Sequence, residues 1–241
     1  MKTQIGYRQR LARIRFAMRE VQSMHSTKTL KSLRRLNDVF SLIDLRVLAE
    51  ELNCEPIIVG KLARESCFHE NGFWKLVIGD SGLAKFKIRV HYWPRPSAGD
   101  PVPENIHNHR FDCYSRIAAG SLKSTSWKIS RAGHDFRHYH YYPQTTRKSY
   151  TLAYKGEERL EPTESASHNC GEVYFMRGTD LHTAGAIDET VTVFLEQRAR
   201  LRRYADVFSM RYARRDVSLP DGALTSDQYL RILRSIAKLV S

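Results

Sequence analysis

The chain has 241 residues, 41% of them hydrophobic and 27% charged, a balance that allows a sizeable core and excludes a disordered chain. Its 39 Lys and Arg against 26 Asp and Glu give a net charge of +13, which predicts attraction to an anionic partner: a small substrate, nucleic acid or a membrane surface. No apolar run approaches the roughly 20 residues of a membrane span, and Cys54, Cys67, Cys113 and Cys170 show no C-x-x-C spacing. With no secretory signal at the N-terminus, a reducing, cytoplasmic location is expected.

Residues 7–24 place Leu11, Ile14, Met18 and Val21 at helical spacing, with Arg8, Arg10, Arg13, Arg15 and Arg19 elsewhere on the surface. Two readings fit this basic amphipathic helix: a contact with RNA or an anionic surface, or a helix that packs one stripe and leaves its arginines in water. Further helices are predicted over 27–43, 44–52 and 55–66. From residue 71 the pattern turns to strands, FWKLVIG and then KFKIRVHYW, with Asp80-Ser81-Gly82 as a hairpin turn. In the second run Phe86, Ile88, Val90 and Tyr92 alternate with Lys85, Lys87, Arg89 and His91. The expected assignment leaves Arg89 and His91 outside the barrel; the opposite one makes them pocket residues. The Pro- and Gly-rich stretch from 94 to 105 is a loop.

Ile106 to Leu122 reads as a strand ending in a turn at Gly120. Alternate residues of a strand share a face, so His107 and His109 aim into the same space, a metal-binding geometry. His182, a strand and turn further on, is the best third ligand. Asp112 is an alternate ligand, but strand parity sets it on the other face. Several short strands rich in Thr, Tyr, Val and Phe follow, which argues for an antiparallel double-sheet barrel, with an extra hairpin near 136–154. His138 and His140 form a second i, i+2 pair; a second metal is one reading, and a substrate-lining or surface strand, with Tyr142 on the same face as His140, is the expected one. Residues 199–216 are strongly basic without a clear period. The tail is predicted to be a helix capped by Thr225 or Ser226, with Leu230, Leu233, Ile236 and Leu239 as its stripe.

The series His107, His109, Cys113, Gly120, with Gly171 eleven residues before His182, resembles the two motifs of the cupin superfamily. Departures are Cys113 where a glutamate ligand is usual, Arg177 and Thr179 for a Pro and a Gly, and Ala186 for the final Asn. A cysteine at the glutamate position, three histidines, and KFKIRVHYW upstream are similar to the thiol dioxygenases, the cysteine dioxygenase group. Some members of that group carry a tyrosine bonded to the motif cysteine; here Glu196 is the polar residue nearest that place.

The resemblance implies a mainly β fold: a cupin (double-stranded β-helix, jelly-roll) barrel over 71–210, an N-terminal helical layer over 1–70 and a C-terminal helical extension over 211–241. It also implies a mononuclear non-haem Fe(II) dioxygenase or oxygenase with a three-histidine site, using O2 on a small polar or anionic substrate of amino-acid or thiol-like kind. A non-oxidative lyase, isomerase or bond-forming enzyme with Zn, Ni or Mn is the alternative, and a basic nucleic-acid-binding module is the third reading. Catalytic candidates are Glu196, as a general base or as half of a salt bridge with a nearby arginine, and Cys113, near the metal or merely filling space. Arg177, Lys75, His140, Tyr142 and Arg89 are the substrate-binding candidates.

Overall fold

The computed structural model describes residues 6–23, 30–80, 87–95, 105–143, 149–197, 203–220 and 222–240. Four helices come first: α1 (Tyr7–Ser23), α2 (Leu30–Ser41), α3 (Leu45–Asn53) and α4 (Pro56–Arg64). The strands are β1 (Cys67–His69), β2 (Phe73–Asp80), β3 (Lys87–Trp93), β4 (Ile106–His107), β5 (Cys113–Ala119), β6 (Ser121–Pro143), β7 (Ser149–Asn169), β8 (Val173–Met176), β9 (Leu181–Ala186), β10 (Thr190–Glu196), β11 (Ala205–Ser209) and β12 (Val217–Pro220). Helix α5 (Ser226–Leu239) closes the order. Among the described residues no helix is long and apolar enough to cross a membrane.

The strands form two antiparallel sheets of six. The first runs β1-β2-β3-β10-β5-β8; the second runs β11-β4-β9-β6-β7-β12, with β11 pairing β6 as well. Strand β6 is long enough to pair with β9 through Leu122–Trp127 and with β11 through Arg137–Tyr141, so the short β4 sits inside a ring of β11, β9 and β6. The hairpin expected near 136–154 is the far half of this β6–β7 ribbon, whose pairing reaches back to Ser121 and Asn169. The architecture is therefore mainly β, two antiparallel sheets with helices before and after them, as expected.

The described helices form a layer on the outer face of the first sheet, with α1, α4 and α5 against β2 and with α2 and α3 packed on those helices. On α1 Leu11, Ile14, Met18 and Val21 are buried as the spacing predicts, while Arg8, Arg13 and Arg19 stay exposed. Arg10 and Arg15 are half-buried, and Arg10 grips Glu51 of α3 through three contacts of 2.9–3.1 Å. Asp44 caps α3, and Thr225 caps α5 in a reciprocal box with Gln228, which satisfies backbone N–H groups that the first turns leave free. The phenols of Tyr7 and Tyr229, from the first and last helices, donate to the adjacent carbonyls of Ile78 and Val77, where the β2–β3 register shifts. The N-terminal helices and α5 thus share one core with the sheet.

Three expectations need correcting. The stretch 106–122 is two strands in different sheets, because the chain crosses from β4 to β5 through residues 108–112. Arg89 and His91 face inward: the helices cover the other face of β3, so Ile88, Val90 and Tyr92 go outward to an apolar partner. Residues 205–209, inside the range expected for the barrel but without a clear period in the sequence, form a strand between β4 and β6, and β12 lies within the segment expected to be a helical extension. Ser81 and Gly82 of the predicted hairpin turn, and most of the predicted loop from 94 to 105, lie outside the described residues.

Candidate metal centre

Strands β4 and β9 pair antiparallel with His107 directly opposite His182, so the two side chains leave the sheet on the same side. His109 follows two residues later, its N–H bonded to the Gly178 carbonyl at 2.9 Å. That close approach requires glycine, since a Cβ on Gly178 would lie 2.7 Å from the Phe111 carbonyl oxygen and 2.9 Å from that of His109. The glycine of the first motif, Gly120, turns β5 into β6 at φ +72, a conformation that side chains disfavour.

The three imidazoles present ligand atoms that all lie within 4.8 Å of one another. Their ring centres are 4.5, 5.0 and 5.1 Å apart. Three imidazoles sharing one ion at ~2.1 Å would set their centres about 4.5–5.2 Å apart, so the donor set fits a metal ion. The Nδ1–H of His107 donates to the Asn105 carbonyl at 3.0 Å, and that of His182 to the Asp180 carbonyl at 3.0 Å. This fixes both tautomers and leaves Nε2 for an ion. Loss of water lowers the pKa of all three rings, well below the usual range for His109 and to about 3 for His182, so they are neutral and ready to donate lone pairs.

The triad lies in the wall of a cavity of about 410 Å³ between the sheets. Lys75 and Arg89 bring cationic side chains to it, and His69 and His91 bring imidazoles that burial keeps uncharged. Phe73, Trp93 and Phe194 supply the apolar wall, with His91 against Phe73 and Phe194 at 4.9 Å each. Glu70 sits at one side in a polar knot: Tyr150 donates to it at 2.8 Å, Tyr212 donates to the same oxygen, and the Asn105 amide reaches the other oxygen at 3.3 Å. Burial first, and then the charge of Glu70 and its hydrogen bonds, push both phenols well above their ordinary range.

The remaining expected residues are placed differently. Cys113 lies on the inner face of the first sheet, opposite Glu196, but is packed with Phe111, Phe194 and Met176 and does not line the cavity. Burial pushes its thiol well above the usual range, so it is protonated filling. Glu196 does not line the cavity either; its carboxylate is 2.6 Å from the Arg89 guanidinium, the salt-bridge reading. Asp112 is drawn off to the Gly178 N–H at 2.7 Å. Arg177 stands exposed on the turn before β9, its N–H bonded to Asp180, and lines no part of the cavity. His140 and Tyr142 miss the cavity because β6 turns Tyr141 inward and these two to the opposite face. His69, His91, Trp93 and Glu70 had no place in the expected site. The parity of β3 pointed to His91 and Trp93 once its outer face was known to be covered, while nothing local marks Glu70.

No protein-family model and no curated protein matches the chain. Among solved structures it is similar to an Fe(II)-bound HEPD of Streptomyces albus in complex with 2-hydroxyethylphosphonate (TM-score 0.32, 10% identity, 54% of this chain and 22% of that one). It is also similar to a hydroquinone 1,2-dioxygenase of Sphingomonas sp. TTNP3 bound to 4-hydroxybenzoate (TM-score 0.32, 9% identity, 52% of this chain and 65% of that one). A third likeness is to an HTH_3 family transcriptional regulator of Vibrio cholerae (TM-score 0.34, 8% identity, 80% of this chain and 98% of that one). In the first two the matched part is less than two thirds of the other chain, and likenesses this distant say nothing about what this chain does.

Proposed function

We propose that this chain is a mononuclear metal-dependent enzyme, a non-haem iron(II) dioxygenase or oxygenase acting with O2 on a small polar or anionic molecule of amino-acid or thiol-like kind. The observation that carries the reading is the convergence of three neutral imidazoles on one point in the wall of a cavity that also holds Lys75 and Arg89. Iron(II) held by His107, His109 and His182 would supply a redox-active, Lewis-acidic centre that keeps a full positive charge and open positions, because no carboxylate is among its ligands.

The chain's own residues prepare the rest. Lys75 and Arg89 draw an anionic group into the cavity, and the ion pair to Glu196 at 2.6 Å fixes the guanidinium in one orientation. Phe73, Trp93 and Phe194 exclude water and so strengthen those attractions. Uncharged His69 and His91 offer hydrogen bonds to polar substrate atoms without adding charge. The Glu70 knot holds Asn105, whose carbonyl in turn orients His107.

The test is the iron content of protein prepared without oxygen, followed by oxygen uptake with a panel of amino acids and thiols. The reading expects about one iron per chain, lost together with uptake in His182→Ala. A folded protein that takes up no iron would end it. Turnover that persists under strict anaerobiosis, with zinc, nickel or manganese bound, would replace it with a non-oxidative reaction.

A further inference from the structure

On the opposite side of the second sheet lies another set of metal-ligating side chains. His140 on β6 is paired directly across from Asp206 on β11, and His138 lies two residues along the same strand. Residues paired across an antiparallel ladder share a face, as do residues i and i+2, so two imidazoles and one carboxylate leave the sheet together. Ala205 and Val207, which flank Asp206, line the inner cavity, so the cluster occupies the reverse face.

Its geometry is that of a cation site. The Asp206 Oδ1 atom is 2.9 Å from His138 Nε2 and 3.7 Å from His140 Nε2, and all three ligand atoms lie within 4.8 Å. An ion ~2.0–2.1 Å from each ligand in a tetrahedron separates them by about 3.3 Å, a value these two distances bracket. Each ring is held in place: His138 stacks on Phe208 with centres 4.5 Å apart, and His140 on Tyr204 at 3.6 Å. The second carboxylate oxygen of Asp206 accepts from Asn108 Nδ2 at 2.8 Å, which turns the first toward the rings. The three side chains keep 14–19% of their surface exposed, enough for an ion to enter and for water to complete its sphere.

We infer that His138, His140 and Asp206 form a second metal site, for a zinc-class divalent cation, that staples β6 to β11 on the face opposite the cavity. Two imidazoles and a carboxylate suit zinc, cobalt or nickel better than calcium or magnesium, which call for all-oxygen sites. The site does not depend on the proposed oxygenase reading.

Metal-free protein titrated with Zn2+ against a chromophoric chelator tests it. The His107→Ala/His182→Ala chain removes the cavity triad, so zinc it still binds reports the reverse face alone. One zinc per chain is expected there, and Asp206→Asn or His140→Gln added to that background should weaken it at least about 100-fold. In the otherwise native chain either substitution should remove one zinc and leave the other, which covers the case where the cavity variant does not fold. If the cavity variant, folded by circular dichroism, binds no zinc at up to about 100 µM, or if its zinc ignores both substitutions, the inference is wrong.

Discussion

Leu76 and Lys75 are neighbours in the chain and belong to opposite worlds. Leu76 enters the apolar core between the first sheet and the five helices, where it is fully buried; Lys75 enters the cavity between the two sheets. The same division runs through β3, with Ile88, Val90 and Tyr92 outward and Arg89, His91 and Trp93 inward. One face removes apolar surface from water, the main favourable term in folding, while the other gathers polar groups whose burial opposes it. The outer face of these two strands is thus apolar, while the inner face mixes an apolar wall of Phe73, Trp93 and Phe194 with the polar groups that can carry chemistry.

Substitutions on the two faces should separate these roles. Leu76→Ala is expected to cost about 2–5 kcal/mol, read as a lower denaturant midpoint, with the metal content of the remaining folded protein unchanged. Breaking the Arg89–Glu196 pair with Glu196→Gln should cost roughly 2–4 kcal/mol, because a mostly buried guanidinium loses its partner. The double variant Arg89→Met/Glu196→Met should recover most of that loss while abolishing the attraction for anionic substrates. A double variant that recovers no stability, or that binds anionic substrates as well as the native chain, would mean that the pair is not what organises the inner face. Lys75→Met should change stability by less than about 1 kcal/mol yet raise KM for an anionic substrate about tenfold. A large loss of stability with unchanged KM would place Lys75 on the structural side.

Much of this division could be read from residues. Helical spacing identified the stripe of α1 and, on α5, Leu233 and Ile236 with the half-buried Leu230 and Leu239, but missed the buried Tyr229; the H-x-H pair with its distant partner identified the imidazoles that the structure brings together. Strand parity set Cys113 on the inner face, where it lies, but could not place it beside the metal: the sheet change between His109 and Cys113 carries it away, and its neighbours Phe111, Phe194 and Met176 cover the thiol. It also left β3 undecided, because its two faces differ only in what covers them, and the cover comes from helices remote in sequence. Asp206 was invisible for the same reason. Its meaning depends on pairing with His140, 66 positions away, inside a basic segment that shows no alternation.

Asn108 stands between His107 and His109 and is tied to one residue by three bonds: its N–H donates to the Asp206 carbonyl at 3.1 Å, its amide oxygen accepts from the Asp206 N–H at 2.7 Å, and its amide nitrogen donates to the carboxylate at 2.8 Å. A slip of one position between β4 and β11 would swing residues 107 and 109 to the wrong side of the sheet and leave the chamber without donors. That triple tie works as a key cut for a single partner, so the alignment of the imidazoles is policed from the neighbouring strand, which supplies none of them.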